Sequence, residues 1–202
     1  QEKLRELGYN DCEIICQYGK KVTSINNLLD KIKTIGIKGT VKKVFGKYTL
    51  SGVRKRTIKM EHFVNKYLKI SKNEYNEQNI NLTNNIYDAF ICGSDQIWNP
   101  SLTSLDSFYW LNFVEKNKLK IAYAPSVGIN KFSDEEKYIV KNNLKSFDGI
   151  SCRENSGTSA INDALSENKC ITVLDPTLIV DKEYWNKISN KRKIKEKYIF
   201  TY

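Results

Sequence analysis

The stretch Tyr87–Pro100, YDAFICGSDQIWNP, joins a short apolar run to a dense polar cluster. The run ends at Gly93, and Ser94, Asp95 and Gln96 follow it directly. An apolar run of this length, bounded by glycine and polar residues, is typical of a buried strand. A surface turn explains the glycine, which has no Cβ to hinder the turn, but explains the aspartate and the glutamine only in part.

The same arrangement of a strand followed by polar residues occurs three more times. LKIAYA is followed by PSVG, DGISC by RENS, and CITVL by DPTL. Helical patterns separate these runs, and one of them begins with a predicted capping box of Ser133 and Glu136 and turns Val140 and Leu144 inward. Strands that alternate with helices predict an α/β fold with a doubly wound, mostly parallel sheet and helices on both faces.

Ligands of such sheets bind beyond the carboxyl ends of the strands. We therefore expect the strand-end residues to line a small-molecule site. The candidates are Gly93, Ser94, Asp95, Gln96, Pro125, Ser126, Arg153, Glu154, Asp175 and Pro176. For Asp95, hydroxyl binding or proton transfer and simple turn capping are equally good interpretations. Trp98 fits packing over the turn better than it fits a sugar platform.

The other clusters also have a chemical and a structural interpretation. Ser126 has no GxSxG context and the chain has one histidine, His62, so a Ser-His-Asp hydrolase is disfavoured. Arg153 could bind a carboxylate or a phosphate bidentately, or could instead pair with Glu154 or with a helix end. Asp175 is favoured as a turn residue. The glycines form neither a GxGxxG motif nor a P-loop, which argues against a Rossmann-type dinucleotide and a Walker ATP site.

The region before Tyr87 is less regular. Residues 1–8 resemble a helix end with Gly8 as its cap, and DCEIICQY is a predicted strand. Residues 22–85 are interpreted as a lysine-rich helical insert, with a loop predicted over 71–85. Within the insert, a helical stripe is predicted to be core; it comprises Met60, Phe63, Val64, Tyr67 and Leu68.

The composition of the chain limits the partners and the cellular compartment that can be expected. The 202 residues carry a net charge of +10, but the basic residues are dispersed and no nucleic-acid-binding motif is present, so nucleic acid is not expected as a partner. Most of this charge is interpreted as solvated surface lysines. The alternative is an anionic ligand or an acidic carrier, such as an anionic lipid carrier at a membrane surface. The five cysteines form no CxxC pair, so we expect reduced thiols in a cytoplasmic protein, without disulfides or a zinc site.

Taken in order and spacing, the blocks YDAFICGSDQIWNP, KIAYAPSVG, SFDGISCRENSG and LDPTLIV resemble the polysaccharide pyruvyl transferase family. The resemblance implies one Rossmann-like half of a fold similar to GT-B glycosyltransferases. It also implies transfer of a pyruvyl group from phosphoenolpyruvate to two sugar hydroxyls as a cyclic ketal, without a metal or an organic cofactor. The acceptor would be a saccharide or lipid-linked glycan at the inner face of the membrane.

The resemblance also suggests roles for individual residues. Arg153 would contact the anionic donor, and Asp95 would act as a hydroxyl ligand or base. The other residues expected to bind substrate are Ser94, Gln96, Trp98, Ser126 and Glu154.

Two features depart from the family pattern. The chain lacks the opening strand and its glycine-rich turn, and its final run KYIFTY looks like the start of a second domain. We therefore expect residues 1–194 to form an N-terminal domain and 195–202 to be the first strand of a truncated C-terminal domain. Such a fragment is expected to be inactive alone. Two alternatives stay open: a non-catalytic carbohydrate- or anion-binding module, and a nucleotide-sugar glycosyltransferase of the GT-B type. The oligomeric state is left open.

Overall fold

A computed structural model describes residues 1–17, 47–103, 105, 107–190 and 194–199 of the chain. The chain divides into two compact units, Gln1–Ile80 and Asn81–Tyr202. No helix in the described part of the chain is both long enough and apolar enough to cross a lipid bilayer. Residues 197–199 of the run KYIFTY belong to neither a helix nor a strand, and its last three residues lie outside the described part, so its assignment to a second domain stays a prediction.

The described residues of the first unit, 1–17 and 47–80, form two helices and two paired strands. They are α1 (Glu2–Glu6), β1 (Ile14–Gln17), α2 (Lys47–Tyr67) and β2 (Ile70–Tyr75). Gly8 has φ +95°, the left-handed conformation expected just beyond a helix end, so the predicted cap is confirmed. The predicted strand within DCEIICQY is also confirmed, and it pairs with β2 in parallel.

Strand β2 shows that the prediction of a loop over residues 71–85 is wrong at its start. Ser71 and Tyr75 are its buried residues, and the Ser71 hydroxyl accepts a hydrogen bond from the Cys16 backbone N–H at 2.9 Å. A strand whose buried side includes a serine has no alternating apolar pattern, so periodicity could not reveal it. The loop expected at the other end is replaced by a 3₁₀ helix, Ile80–Asn85.

The predicted helical insert is partly a helix. Helix α2 lies within it, while residues 22–46 lie outside the described part of the chain. The stripe on α2 is not a buried core, because Met60 and Phe63 are exposed and Val64, Tyr67 and Leu68 are half-buried. The helical pattern was therefore right, and the burial inferred from it was wrong.

The second unit is an α/β structure built on a four-stranded parallel sheet, as predicted. Its strands are β3 (Ala89–Cys92), β4 (Leu119–Ala122), β5 (Gly149–Cys152) and β6 (Cys170–Thr172). Their order in the sheet follows their order in the chain, so all four carboxyl ends lie along one edge. The helices are α3 (Pro100–Thr103), α4 (Asp134–Leu144), α5 (Asn155–Leu165) and α6 (Lys182–Ile188), with a 3₁₀ helix at Ser107–Trp110.

Local sequence signals fix the helices that cover this sheet. The Ser133 hydroxyl accepts from the Glu136 N–H at 3.3 Å and the Glu136 carboxylate accepts from the Ser133 N–H at 2.7 Å, which confirms the capping box. Val140 and Leu144 are completely buried, as predicted. Helix α5 packs on α4 and on the last two strands of the sheet.

The cysteines are free thiols, as expected from their spacing. Cys92, Cys152 and Cys170 are buried in the sheet, whereas Cys12 and Cys16 are half-buried. Burial raises the pKa of the Cys92 thiol and that of the Cys170 thiol to about 12. These two thiols are therefore protonated at neutral pH and are poor nucleophiles.

Candidate functional site

The four polar clusters meet along the carboxyl edge of the sheet in the second unit. The Ser126 backbone N–H donates to the Asp95 carbonyl at 3.0 Å, which joins the ends of β3 and β4. The Arg153 N–H donates to the Pro125 carbonyl at 3.1 Å and joins the ends of β4 and β5. The structure thus brings together residues that are far apart in the chain, as the strand-end argument predicted.

Gly93 allows the first of these turns to form. Its φ is +130°, and a Cβ at this position would collide with the backbone carbonyl oxygen of Tyr123 at the end of β4. The Tyr123 N–H in turn donates to the Cys92 carbonyl at 2.9 Å. The two strand ends therefore approach each other more closely than any residue with a side chain would permit.

Asp95 is exposed on this turn, and one of its two carboxylate oxygens accepts a hydrogen bond. Its Oδ1 accepts the Gln96 N–H at 2.8 Å, the turn-capping bond that the sequence suggested. Neither Oδ2 of Asp95 nor the Ser94 hydroxyl makes a hydrogen bond within the part of the chain that the structure describes. The capping role and a role toward a ligand are therefore compatible, because they use different oxygens.

Trp98 lies beneath the turn and is completely buried. Its ring stacks on Trp110 at a centroid distance of 4.8 Å and meets the edge of Phe147 at 6.1 Å. Its indole N–H donates to the Tyr109 carbonyl at 3.2 Å. These contacts agree with the packing interpretation, and in this structure the ring presents no face to a sugar.

The turn after β4 is held in a strained conformation. Ala124 has φ +52° and is fully buried, a conformation that residues other than glycine rarely adopt. Its N–H donates to the Ser151 hydroxyl at 3.0 Å, and that hydroxyl donates to the Ala122 carbonyl at 2.9 Å. Ser126, two residues on, is also buried. Strain of this kind concentrates at functional sites and persists only where the surroundings enforce it.

Arg153 is held between two carboxylates at the end of β5. Its Nε donates to Glu154 Oε1 at 2.9 Å, and its Nη1 donates to Asp175 Oδ2 at 3.0 Å. Asp175 is fixed in turn by Thr177, whose N–H and hydroxyl both donate to Oδ1, at 2.9 and 2.6 Å. The pKa of Arg153 is raised by the bonds to Glu154 and Asp175, and that of Asp175 is lowered by Thr177 and by Arg153.

Sequence reasoning missed this use of Asp175, which it treated as a turn residue. The available signal was that oppositely charged residues follow adjacent predicted strands, β5 and β6. The cluster has one positive and two negative charges, so it does not attract anions at long range. Within the described residues the Nη2 group of Arg153 makes no hydrogen bond, so its two N–H groups are available as directed donors.

Comparison with known families identifies the chain. The family model for polysaccharide pyruvyl transferases matches residues 3–202. The chain belongs to the polysaccharide pyruvyl transferase family. The match spans all four strand-end clusters and confirms the resemblance seen in the sequence blocks. No curated protein and no solved structure shows a significant match to the chain.

Family membership supports a role as a transferase in polysaccharide biosynthesis. For a polysaccharide pyruvyl transferase, the strand-end edge offers suitable residue types. Among the described residues, one carboxylate oxygen of Asp95 and the Ser94 hydroxyl accept and donate no hydrogen bond, and the guanidinium of Arg153 is held in a fixed orientation. The expected cytoplasmic location, contact with the inner membrane face and lack of a cofactor stay predictions.

Proposed function

We propose that this polysaccharide pyruvyl transferase moves a pyruvyl group from phosphoenolpyruvate to two hydroxyls of a sugar in a surface polysaccharide, forming a cyclic ketal. The observation that carries the proposal is the convergence of four polar strand ends on one edge of the sheet in a member of this family. That edge is where parallel α/β sheets bind small molecules.

The proposed reaction balances without an additional reactant. C2 of phosphoenolpyruvate loses its bond to the phosphate oxygen and gains bonds to two sugar oxygens. The double bond between C2 and C3 becomes a single bond, and its electron pair takes up a proton at C3. The two hydroxyls release two protons. One of them balances the proton that C3 gains, and the other leaves with phosphate. The reaction therefore needs a group that accepts hydroxyl protons and groups that stabilise the charge on the donor.

Asp95 is proposed as the proton acceptor. Its Oδ2 is exposed and free of the capping bond, so it can accept a hydroxyl proton while Oδ1 keeps the turn in place. Ser94, its neighbour, is proposed to bind a sugar hydroxyl. Asp95→Asn preserves the capping oxygen and removes the base, so kcat should fall about 100-fold to 10,000-fold with the fold intact. An Asp95→Asn variant with full activity would limit Asp95 to capping.

Arg153 is proposed to bind the carboxylate or phosphate of the donor through its Nη2 group. Glu154 and Asp175 then act as positioning residues, since they hold two other nitrogens of the same guanidinium. The cluster has no net positive charge, so its contribution is the fixed direction of its donors. Ser126 and Trp98 support the two adjoining turns from the interior.

The test uses the protein as its gene encodes it, with phosphoenolpyruvate and an acceptor saccharide. Phosphate release and the ketal carbon, followed by NMR, report the reaction. Arg153→Ala should remove about 2–4 kcal/mol of transition-state stabilisation. This loss corresponds to a fall in kcat/KM of roughly 30-fold to 1,000-fold. Lys141→Ala removes the same charge from an exposed position on α4 and should leave kcat/KM unchanged. Donor binding without phosphate release or ketal formation would favour the non-catalytic binding module.

A further inference from the structure

The side-chain amides of Gln96 and Asn99 form a pair beside Asp95. Asn99 is buried, and its Nδ2 donates to Oε1 of Gln96 at 2.6 Å. The Oδ1 of Asn99 accepts the backbone N–H of Ser101 at 2.9 Å. The pair therefore belongs to a row of three groups: a backbone donor, the Asn99 amide and the Gln96 amide.

This arrangement determines which way each amide faces. A backbone N–H can only donate, so the oxygen of Asn99 must face Ser101 and its NH₂ must face Gln96. Gln96 must then turn its own oxygen toward Asn99. The NH₂ of Gln96 is left on the opposite side, and within the described residues it makes no hydrogen bond.

Gly128, in the turn after β4, packs closely against the Gln96 and Asn99 amides. A Cβ there would lie 2.8 Å from Oε1 of Gln96 and would collide with Nδ2 of Asn99, and the φ of Gly128 is +63°. The backbone of this turn thus packs directly against both amides. Gln96 is half-buried. Asn99 holds the oxygen of its amide on the inner side, and the outer side of the amide is open to a ligand.

We propose that Asn99 is a positioning residue that makes Gln96 a fixed hydrogen-bond donor to an anionic ligand oxygen. A sugar hydroxyl can both donate and accept, so it would be satisfied by either end of the Gln96 amide. A carboxylate or phosphate oxygen can only accept, so it alone requires the orientation that Asn99 imposes. The inference rests on the proposed function, in which the anion is phosphoenolpyruvate.

Asn99→Asp tests the orientation with almost no change in shape. One oxygen of the introduced carboxylate still accepts the Ser101 N–H, but the other replaces a donor, so the Gln96 amide must turn over and show its oxygen to the ligand. Losing a hydrogen bond to a charged group should raise KM for phosphoenolpyruvate about tenfold to a hundredfold, with kcat changed much less. KM for the saccharide should stay the same. A purely structural effect would instead lower the active fraction, and hence kcat.

Two further variants complete the test. Asn130→Asp adds the same charge at an exposed position close to Gly128 and should leave KM for phosphoenolpyruvate unchanged. Gln96→Glu still accepts from Asn99 but presents a negative oxygen, and should raise the same KM even if Asn99→Asp folds poorly. Wild-type KM for phosphoenolpyruvate in both Gln96→Glu and a folded Asn99→Asp would overturn the inference and leave the proposed function intact.

Calorimetric titration with phosphoenolpyruvate separates this inference from the proposed function. If the wild-type protein gives no ketal but binds phosphoenolpyruvate, and Asn99→Asp weakens that binding at least tenfold, the donor site stands and the transfer reaction does not. If the wild-type protein neither turns over nor binds phosphoenolpyruvate, both proposals are overturned.

Discussion

Replacing Trp98 by alanine should destabilise the second unit strongly. The indole is fully buried, stacks on Trp110 and contacts the edge of Phe147. Its removal leaves a cavity next to two aromatic rings and removes the bond from its N–H to the Tyr109 carbonyl. The turn that carries Asp95 would lose the support beneath it.

The size of the effect follows from these contacts. Truncation of a buried tryptophan costs about 3–5 kcal/mol, and each aromatic pair contributes about 0.5–1.5 kcal/mol beyond the area it buries. With two such pairs present, we expect a loss of about 4 kcal/mol in the free energy of unfolding. For an m-value of about 2 kcal/mol per molar urea, the unfolding midpoint should fall by about 2 M.

Urea unfolding followed by far-UV circular dichroism gives the measurement, and the exciton signal of the stacked Trp98 and Trp110 rings provides a local probe that the variant should lack. Trp185→Ala is the matched control. Trp185 is half-buried and donates to the Thr177 carbonyl, so its loss should cost only about 1–2 kcal/mol. A Trp98→Ala variant that loses less than about 1 kcal/mol and yet loses activity would refute the packing role and favour a ligand platform.

Three smaller changes test other parts of the structure. Asp175→Asn removes the ion pair with Arg153. Folding lowers the pKa of the Asp175 carboxyl group from its ordinary value of 3.8. The stability that this carboxylate contributes is therefore present above pH 3.8 and is lost as the pH falls through the lower folded pKa. The variant should therefore be about 1–2 kcal/mol less stable than the wild type at neutral pH, with the gap closing below about pH 3.8, and a gap that persists at low pH would contradict this. Gly93→Ala should cost at least about 3 kcal/mol in urea unfolding, since it combines a left-handed φ with a backbone collision, and wild-type stability would show that the turn can move. Ser133→Ala should cost about 1 kcal/mol through loss of the capping box, and an unchanged midpoint would show that the cap contributes nothing to α4.

The features that could be predicted from the sequence depend on local signals. The capping box at Ser133 and the buried face with Val140 and Leu144 are encoded within a few residues of each other, and both are present in α4. The convergence of the strand ends followed from topology, because parallel strands place their carboxyl ends at one edge. Neither feature depends on which distant side chains touch.

The features that were missed depend on contacts that exist only in the folded chain, two of them with distant residues. Asp175 lies 22 positions from Arg153, so their ion pair has no local signature. The exposure of Met60 and Phe63 depends on what packs beside α2, which helical periodicity does not encode. Asn99 was not among the predicted site residues, because its bond to Gln96, three positions away, depends on how the turn folds.

Three of the links between the strand ends are made by backbone atoms alone. Ser126 to Asp95, Arg153 to Pro125 and Val173 to Cys152 are each joined from an N–H to a carbonyl, at 3.0, 3.1 and 3.0 Å. Because every residue has a carbonyl and all except proline have an N–H, these links persist when side chains at most of these positions are exchanged. These three links are thus independent of the side chains at the edge, so Ser94, the residue proposed to bind a sugar hydroxyl, can be substituted without breaking any of them.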